Sequence, residues 1–427
     1  MSPTTFLIRI GILSLFLILI DLYTFNGLKS VTNSIETPFI RQAIHIVFWT
    51  ITILYFSAIV FGVLNFNPMN GPRGINFKII TIGLVLLWLP KIVFCLFLIG
   101  EDIFRIFNAL FVFTFDKFGW EAKGNANYFP ERRKIVSQIG LAIASIPFAS
   151  VLYGVTKGKY NFVIREVELT FKELPWSFDG LTITQISDVH SGSFDDAAEV
   201  KRGVELINAQ KSDIVVFTGD LVNNIASEFH PWIDIFKTIE APLGKYSITG
   251  NHDYGEYVPW PSEEARNKNF EALLDNHSKI GFKILMNENV VFTRNSEQLA
   301  LVGIENWGLP PFPQKGDINK AINGLEKETF KVLLSHDPSH WDAQVLVHPS
   351  NFHLTLSGHT HGMQFGIEIP GFFKWSPVKF KYPRWAGLYK EKGTFLYVNR
   401  GFGFIGFPGR VGIWPEITKI TLRSAMA

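Results

Sequence analysis

A chain of 427 residues with 18% charged residues and a mean hydropathy of +0.17 is too long for one ordinary compact domain and suggests two unequal parts. Its formal charge of +2 argues against a nucleic-acid partner, since phosphate-backbone binders carry a basic stripe or a far larger positive charge. The single cysteine, Cys95, excludes an intrachain disulfide and any cysteine-built metal site.

The apolar excess lies before about residue 155. Four runs, Phe6–Phe25, Ala43–Phe66, Ile79–Gly100 and Ile135–Val155, are long enough for a hydrocarbon core of roughly 30 Å, which needs about 20 helical residues. The first reads as a retained span, because more spans follow it and no small-residue cleavage site is obvious. Arg9 and Asp21 fall near its ends, where side chains reach the interface. Lys91, beside Pro90, falls inside the third span and needs a partner. Glu101 and Asp102, two to three turns on, are the acids nearby, so a kinked or shifted span is expected. A further piece, Ile103–Phe115, holds Arg105 and Asn108, is too short to cross, and reads as an interfacial helix. Residues 1–160 are thus expected to form a transmembrane anchor and 161–427 a separate domain.

Basic residues set the orientation. Arg105, Lys117, Lys123, Arg132, Arg133 and Lys134 precede the fourth span, and Lys29 and Arg41 lie in the first loop, on the same side. Arg73, Lys78, Lys157, Lys159 and Arg165 lie on the other. The excess predicts an inner (cell) membrane protein whose soluble domain faces out of the cytoplasm. Glu131-Arg132-Arg133-Lys134-Ile135-Val136 resembles a twin-arginine export signal; a plain cytoplasmic anchor is the other reading, and either keeps the arginines inside.

Past Tyr160, short β-branched runs alternate with amphipathic stretches. Strands are expected at Leu181–Ser187, Asp213–Thr218, Lys245–Thr249, Leu299–Gly303, Phe330–Ser335, Phe352–Ser357 and Phe395–Asn399, with helices at Asp195–Gln210 and Ser262–Ile280. This alternation favours a layered α/β fold with functional groups at strand ends. Several runs end in metal-ligand types: Asp188-Val189-His190, Gly219-Asp220, Gly250-Asn251-His252-Asp253, His336-Asp337 and Gly358-His359-Thr360-His361-Gly362. In extended backbone, residues two apart share a face, so Asp188 with His190, and His359 with His361, are expected to aim at one site. The flanking glycines suit backbone that turns sharply beside it. One such group arises easily by chance, and a lone strand-end histidine is more often capped or solvent-facing. Five groups in one order are hard to explain that way. His45, His230, His277, His340, His348 and His353 join no such pattern and read as structural or surface residues.

At these residues the chain resembles the calcineurin-like metallophosphoesterases, over roughly Phe171–Leu422. The resemblance implies a double β-sandwich flanked by helices and two divalent ions, with Asp188, His190 and His361 on the first, Asn251, His336 and His359 on the second, and Asp220 bridging. It also implies that His252 serves the leaving-group oxygen and that Asp253 orients it. Mixed Asp/Asn/His ligation suits Mn, Fe or Zn better than Mg or Ca. The run Asn399-Arg400-Gly401, through Arg410 to Trp414-Pro415-Glu416, resembles a membrane-associated bacterial branch. There a second glycine usually follows Gly362, and Met363 is expected to narrow the floor of the site.

The activity so implied is hydrolysis of phosphate monoesters or diesters. A second reading, a hydrolase of lipid head groups or lipid-linked pyrophosphates at the membrane lipid surface, draws on Phe372–Tyr389, where Phe372, Phe373, Trp375, Phe380, Tyr382, Trp385 and Tyr389 interleave with Lys374, Lys379, Lys381 and Arg384. An ordinary half-buried loop and strand set is the plainer, favoured explanation of that stretch. A catalytically silent membrane sensor or scaffold is the reading from another class.

Overall fold

The computed structural model describes residues 3–65, 75–118 and 130–425. Phe66, Arg73 and Lys123, used above, lie outside the described residues. The chain divides into two compact units between Tyr153 and Gly154.

The first unit is helical. Among the described residues four stretches are long and apolar enough to cross a membrane, Ile8–Thr32, Pro38–Leu64, Phe77–Thr114 and Glu131–Thr156. A helix satisfies all its own backbone groups, as hydrocarbon demands, and Ile12, Leu15, Leu54, Ile106 and Phe107 are exposed on the helix surfaces. Ile103–Phe115 is not a separate interfacial helix. It continues the third span through Leu89–Lys117, because Gly100 alone only weakens a helix. A π turn at Leu84–Trp88 precedes Pro90, relieving a ladder that proline would otherwise break.

Lys91 pairs with Asp21, Nζ to Oδ1 at 2.5 Å, and not with Glu101 or Asp102. Its ammonium also lies 4.7 Å from the Phe48 ring and 4.6 Å from the Trp88 ring. Asp21 is therefore fully buried instead of reaching the interface; a buried cation is tolerable only when paired in this way. Glu101 and Asp102 instead take Arg133, at 3.1 and 2.5 Å, and Arg105, at 4.0 and 3.7 Å.

The second unit is a double β-sandwich. One sheet runs β1 (Val163–Phe171), β14 (Glu416–Ser424), β2 (Thr182–Ile186), β3 (Ile214–Phe217), β4 (Lys245–Ser247) and β5 (Lys283–Ile284). The other runs β12 (Gly387–Glu391), β13 (Thr394–Val398), β9 (Leu354–Ser357), β8 (Phe330–Leu334), β7 (Glu297–Gly303) and β6 (Glu288–Arg294). A hairpin of β10 (Ile367–Ile369) and β11 (Phe373–Trp375) stands apart from both. Strands β2 to β5 pair in parallel, as do β7, β8, β9 and β13, so the carboxyl ends within each sheet share an edge.

Alternation explains the layers. Ile214 and Val216 enter the core between the sheets with Val332, Leu334, Leu354 and Leu356, whereas Val215 and Phe217 face the other way and pack with Val200 and Val204 of the helix Ala197–Ala209. Strand β7 does the same, with Leu299 and Leu301 inward and Ala300 and Val302 outward. The flanking helices start where their caps stand: Asp196 accepts from Ala198 and Glu199 N–H, and Ser262 from Ala265 N–H.

Candidate metal centre

The sequence-predicted residues leave the carboxyl ends of β2, β3, β4, β8 and β9 and converge. Asp188, His190 and His361 form one group of potential ligands and Asp220, His336 and His359 another, each with donor atoms within 4.8 Å of one another. His361 Nε2 lies 2.9 Å from His190 Nε2 and 3.2 Å from Asp188 Oδ1. Asp220 Oδ2 lies 3.5 Å from His190 Nε2 and 3.2 Å from His336 Nε2, so its carboxylate reaches both groups. Asn251 joins the second, its Oδ1 2.8 Å from His359 Nδ1.

The backbone does not deliver these groups in the expected way. Asp188, His190, Asp220, His359 and His361 all have positive φ, from 45° to 70°, so neither Asp-x-His nor His-x-His is extended. Left-handed backbone is uncommon for residues with a Cβ and costs roughly 1–3 kcal/mol each, a strain that gathers at functional sites. Glycines make room beside it. Gly219 turns the chain at φ 96° ahead of Asp220, and a Cβ on Gly358 would sit 2.3 Å from Asp188 Oδ2. Met363 also has positive φ, at 55°, but its side chain is 59% exposed. It points to solvent and does not narrow the floor of the site.

The electrostatics favour a cation. Burial alone would raise the carboxyls of Asp188 and Asp220, yet the facing imidazoles, chiefly His361 and His336 respectively, hold both below the usual carboxylate range. Burial opposes charge on His336, but Asp220 and Asp188 outweigh it and push that imidazole up to about 10. These buried acids thus draw a positive charge to themselves, and a divalent ion supplies it directly. His336 Nε2 is buried without a hydrogen-bond partner and faces Asp220. The donor set therefore fits a metal.

His252 is only half-buried and stands at the rim. Its Nδ1 lies 2.8 Å from the carbonyl oxygen of Asn223, which only accepts, so Nδ1 donates and Nε2 stays available. Among the described residues the hydrogen-bond partner of the His252 imidazole is the Asn223 carbonyl and not Asp253. The Asp253 carboxylate instead accepts the backbone N–H groups of Asp220, Leu221 and Gly250 at 2.9, 2.8 and 2.8 Å, bracing the two loops that carry Asp220 and Asn251.

Sequence reasoning missed other neighbours. The Tyr382 hydroxyl lies 2.8 Å from His359 Nε2, and Tyr257 accepts from Asn251 Nδ2 at 2.8 Å. Buried Arg410 donates to the carbonyls of Arg400 and Gly401 and has Nη2 3.3 Å from His361 Nδ1. Only the basic-aromatic run and the C-terminal motif hinted at Tyr382 and Arg410. Beyond Tyr382 a cavity of about 430 Å³ is lined by Leu309, Pro310, Pro338, Lys381 and Arg384.

Residues 4–159 match a family model described as the transmembrane domain of probable calcineurin-like phosphoesterases, and residues 181–363 match one described as calcineurin-like phosphoesterase. A transmembrane protein with metallophosphoesterase domain from Danio rerio is 28% identical over 390 residues, 88% of this chain and 81% of its own. The uncharacterized metallophosphoesterase YkuE of Bacillus subtilis is 29% identical over 298 residues, 69% of this chain and 97% of its own. The UDP-2,3-diacylglucosamine pyrophosphatase LpxG of Chlamydia trachomatis is 27% identical over 269 residues, 52% of this chain and 78% of its own.

Proposed function

We propose that this chain, which belongs to the calcineurin-like metallophosphoesterases and is an integral-membrane hydrolase of ester bonds, cleaves phosphoesters at a site for two divalent ions. Asp188, His190 and His361 would hold one, Asn251, His336 and His359 the other, and Asp220 both. The observation that carries this is the Asp220 carboxylate, which approaches His190 on one side and His336 on the other. When bound, such an ion pair would supply Lewis-acid stabilisation of the phosphate oxygens and lower the pKa of the attacking water. Mn, Fe and Zn suit the mixed donors.

The chain's own part is to align and to move a proton. His252, with Nδ1 engaged by Asn223, presents Nε2 to the departing oxygen and, protonated, donates to it. Asp253 holds the loops of Asp220 and Asn251 in register. A silent sensor is a poor account of a chain that keeps all seven donors and His252.

A lipid-linked phosphoester or pyrophosphate is the second reading, favoured by the cavity beside Tyr382, where Leu309, Pro310 and Pro338 offer apolar walls and Lys381 a cation. The membrane spans and the name of the Chlamydia relative support it. A panel of aryl phosphomonoesters, aryl phosphodiesters, phospholipids and lipid pyrophosphates, tried on the full chain in detergent with Mn²⁺, tests both. Metal-dependent turnover of at least one class is expected; metal-independent turnover, or none of any class, contradicts the proposal.

A further inference from the structure

The β10–β11 hairpin is amphipathic with its apolar face outward. Ile367 opposes Trp375 and Ile369 opposes Phe373, so these four share one face. Ile367, Ile369 and Phe373 are 56%, 52% and 47% exposed, and Phe372 at the turn is 85% exposed. The opposite face carries Glu368 and Lys374; Glu368 is largely covered, and Lys374 is exposed with its ammonium reaching back to the domain. Glu368 takes Arg400 at 2.7 Å and Arg165 at 2.9 Å, and Lys374 donates to the Ala386 carbonyl. Next in the chain, exposed Phe380 stands between exposed Lys379 and Lys381. Tyr382 and Trp385, by contrast, are buried, so the aromatic-basic run divides into a core half and a surface half.

We propose that this hairpin, with Lys379–Lys381, docks on the anionic surface of a lipid bilayer. An exposed apolar face rimmed by lysines suits the headgroup layer, where aromatic rings bury and ammonium groups meet anionic lipid. The chain also brings its own bilayer, because the domain follows directly on the span Glu131–Thr156. Within the second unit the hairpin base is tied to that point of entry. Gly154 O accepts from Arg410 N–H at 3.1 Å, and Gly366 N–H donates to Val411 O at 2.9 Å, one residue before β10. The ion network is the other tie, since Arg400 follows β13 and adjoins Gly401, which packs against Asp188 and His361. Docking therefore sets the metal site at the headgroup layer and selects phosphoesters carried by lipids. That consequence rests on the hydrolase reading; the docking itself does not.

The test uses the full chain carrying Cys95→Ala and one new cysteine, Phe372→Cys, Phe380→Cys or, as a control on the exposed face of Glu263–Lys279, Lys268→Cys. Each is labelled with a polarity-sensitive fluorophore and reconstituted into phosphatidylcholine vesicles with or without phosphatidylglycerol, some bearing brominated chains. Blue-shifted emission quenched by brominated lipid is expected at positions 372 and 380, stronger with phosphatidylglycerol, and a water-like signal at 268. Water-like signals at all three overturn the proposal, as does self-quenching that grows with protein density without quenching by lipid, which assigns the face to a second copy. In Phe372→Asp/Phe380→Asp, turnover of a soluble aryl phosphodiester should stay within about twofold while turnover of a vesicle-borne phosphoester falls about tenfold or more. Equal loss on both substrates would assign the hairpin to shaping the metal site and overturn the docking role. If no ester is turned over, the hydrolase reading fails and the fluorescence still decides the docking.

Discussion

Asp220 grips the backbone of His252, its Oδ1 accepting the His252 N–H at 2.8 Å, so one carboxylate reaches both ligand groups and also fixes the residue at the rim. That contact needs no imidazole. His252→Ala should therefore keep its metal while turnover falls by about 10²–10⁴-fold. Esters with very acidic leaving groups should suffer least, since those depart unprotonated. Metal loss, or an equal rate loss for every leaving group, would refute the proton-donor role.

Asp253→Ala should behave differently. Three buried N–H groups, on Asp220, Leu221 and Gly250, would lose their acceptor, at about 1–3 kcal/mol each. Metal content and melting temperature should fall together with turnover. A variant that melts normally with full metal and loses only the proton-transfer step would restore the family expectation that Asp253 serves His252.

Much of the site was legible because its determinants are local. The runs at β2, β3, β4, β7, β8, β9 and β13 are short, rich in β-branched and aromatic residues and almost wholly buried, and after β2, β3, β4, β8 and β9 the ligand types follow at once in sequence. What was illegible depends on distant partners. Asp21 and Lys91 are far apart in the chain, and only helix packing brings them together. Strand β1 alternates half-buried with exposed residues and buries only Leu169 and Phe171 at its end, and β5 has two residues, too little pattern to identify either. The positive φ of five candidate ligands is uncommon for any residue with a Cβ, so extended geometry was the wrong starting point. The outward apolar face of β10–β11 depends on Glu368 finding Arg400 and Arg165.

Two histidines away from the ligand cluster set an acid limit. Burial pushes His277 down to about 3 and His353 to about 4, so the unfolded chain, with imidazoles near 6.5, binds these protons first. Their contribution is complete above about 6.5 and is lost as pH falls toward 4 and then 3. The melting temperature of the full chain should fall over that window, and His277→Gln should flatten the slope. A melting temperature constant from neutral pH to about 4 would contradict this.

The basic cluster at Arg132, Arg133 and Lys134 predicts that the second unit lies outside the cytoplasm. A reporter active only outside the cytoplasm should work when fused near Lys157 and be silent near Lys123. The reverse pattern would put the metal centre in the cytoplasm. Arg132→Gln/Arg133→Gln should invert or lose the outer domain if these charges decide orientation; unchanged topology would assign that role to earlier spans.

The central claim is a pair of ions joined by Asp220, and metal analysis of the full chain tests it most directly, alongside turnover of an aryl phosphodiester before and after chelation. The wild type should hold two ions per chain, lose activity on chelation and regain it with a divalent ion such as Mn²⁺. Asp220→Ala should lose tight binding of the pair and all activity, because one carboxylate leaves both coordination shells at once. An Asp220→Ala protein that retains two ions and near-normal turnover would contradict the account.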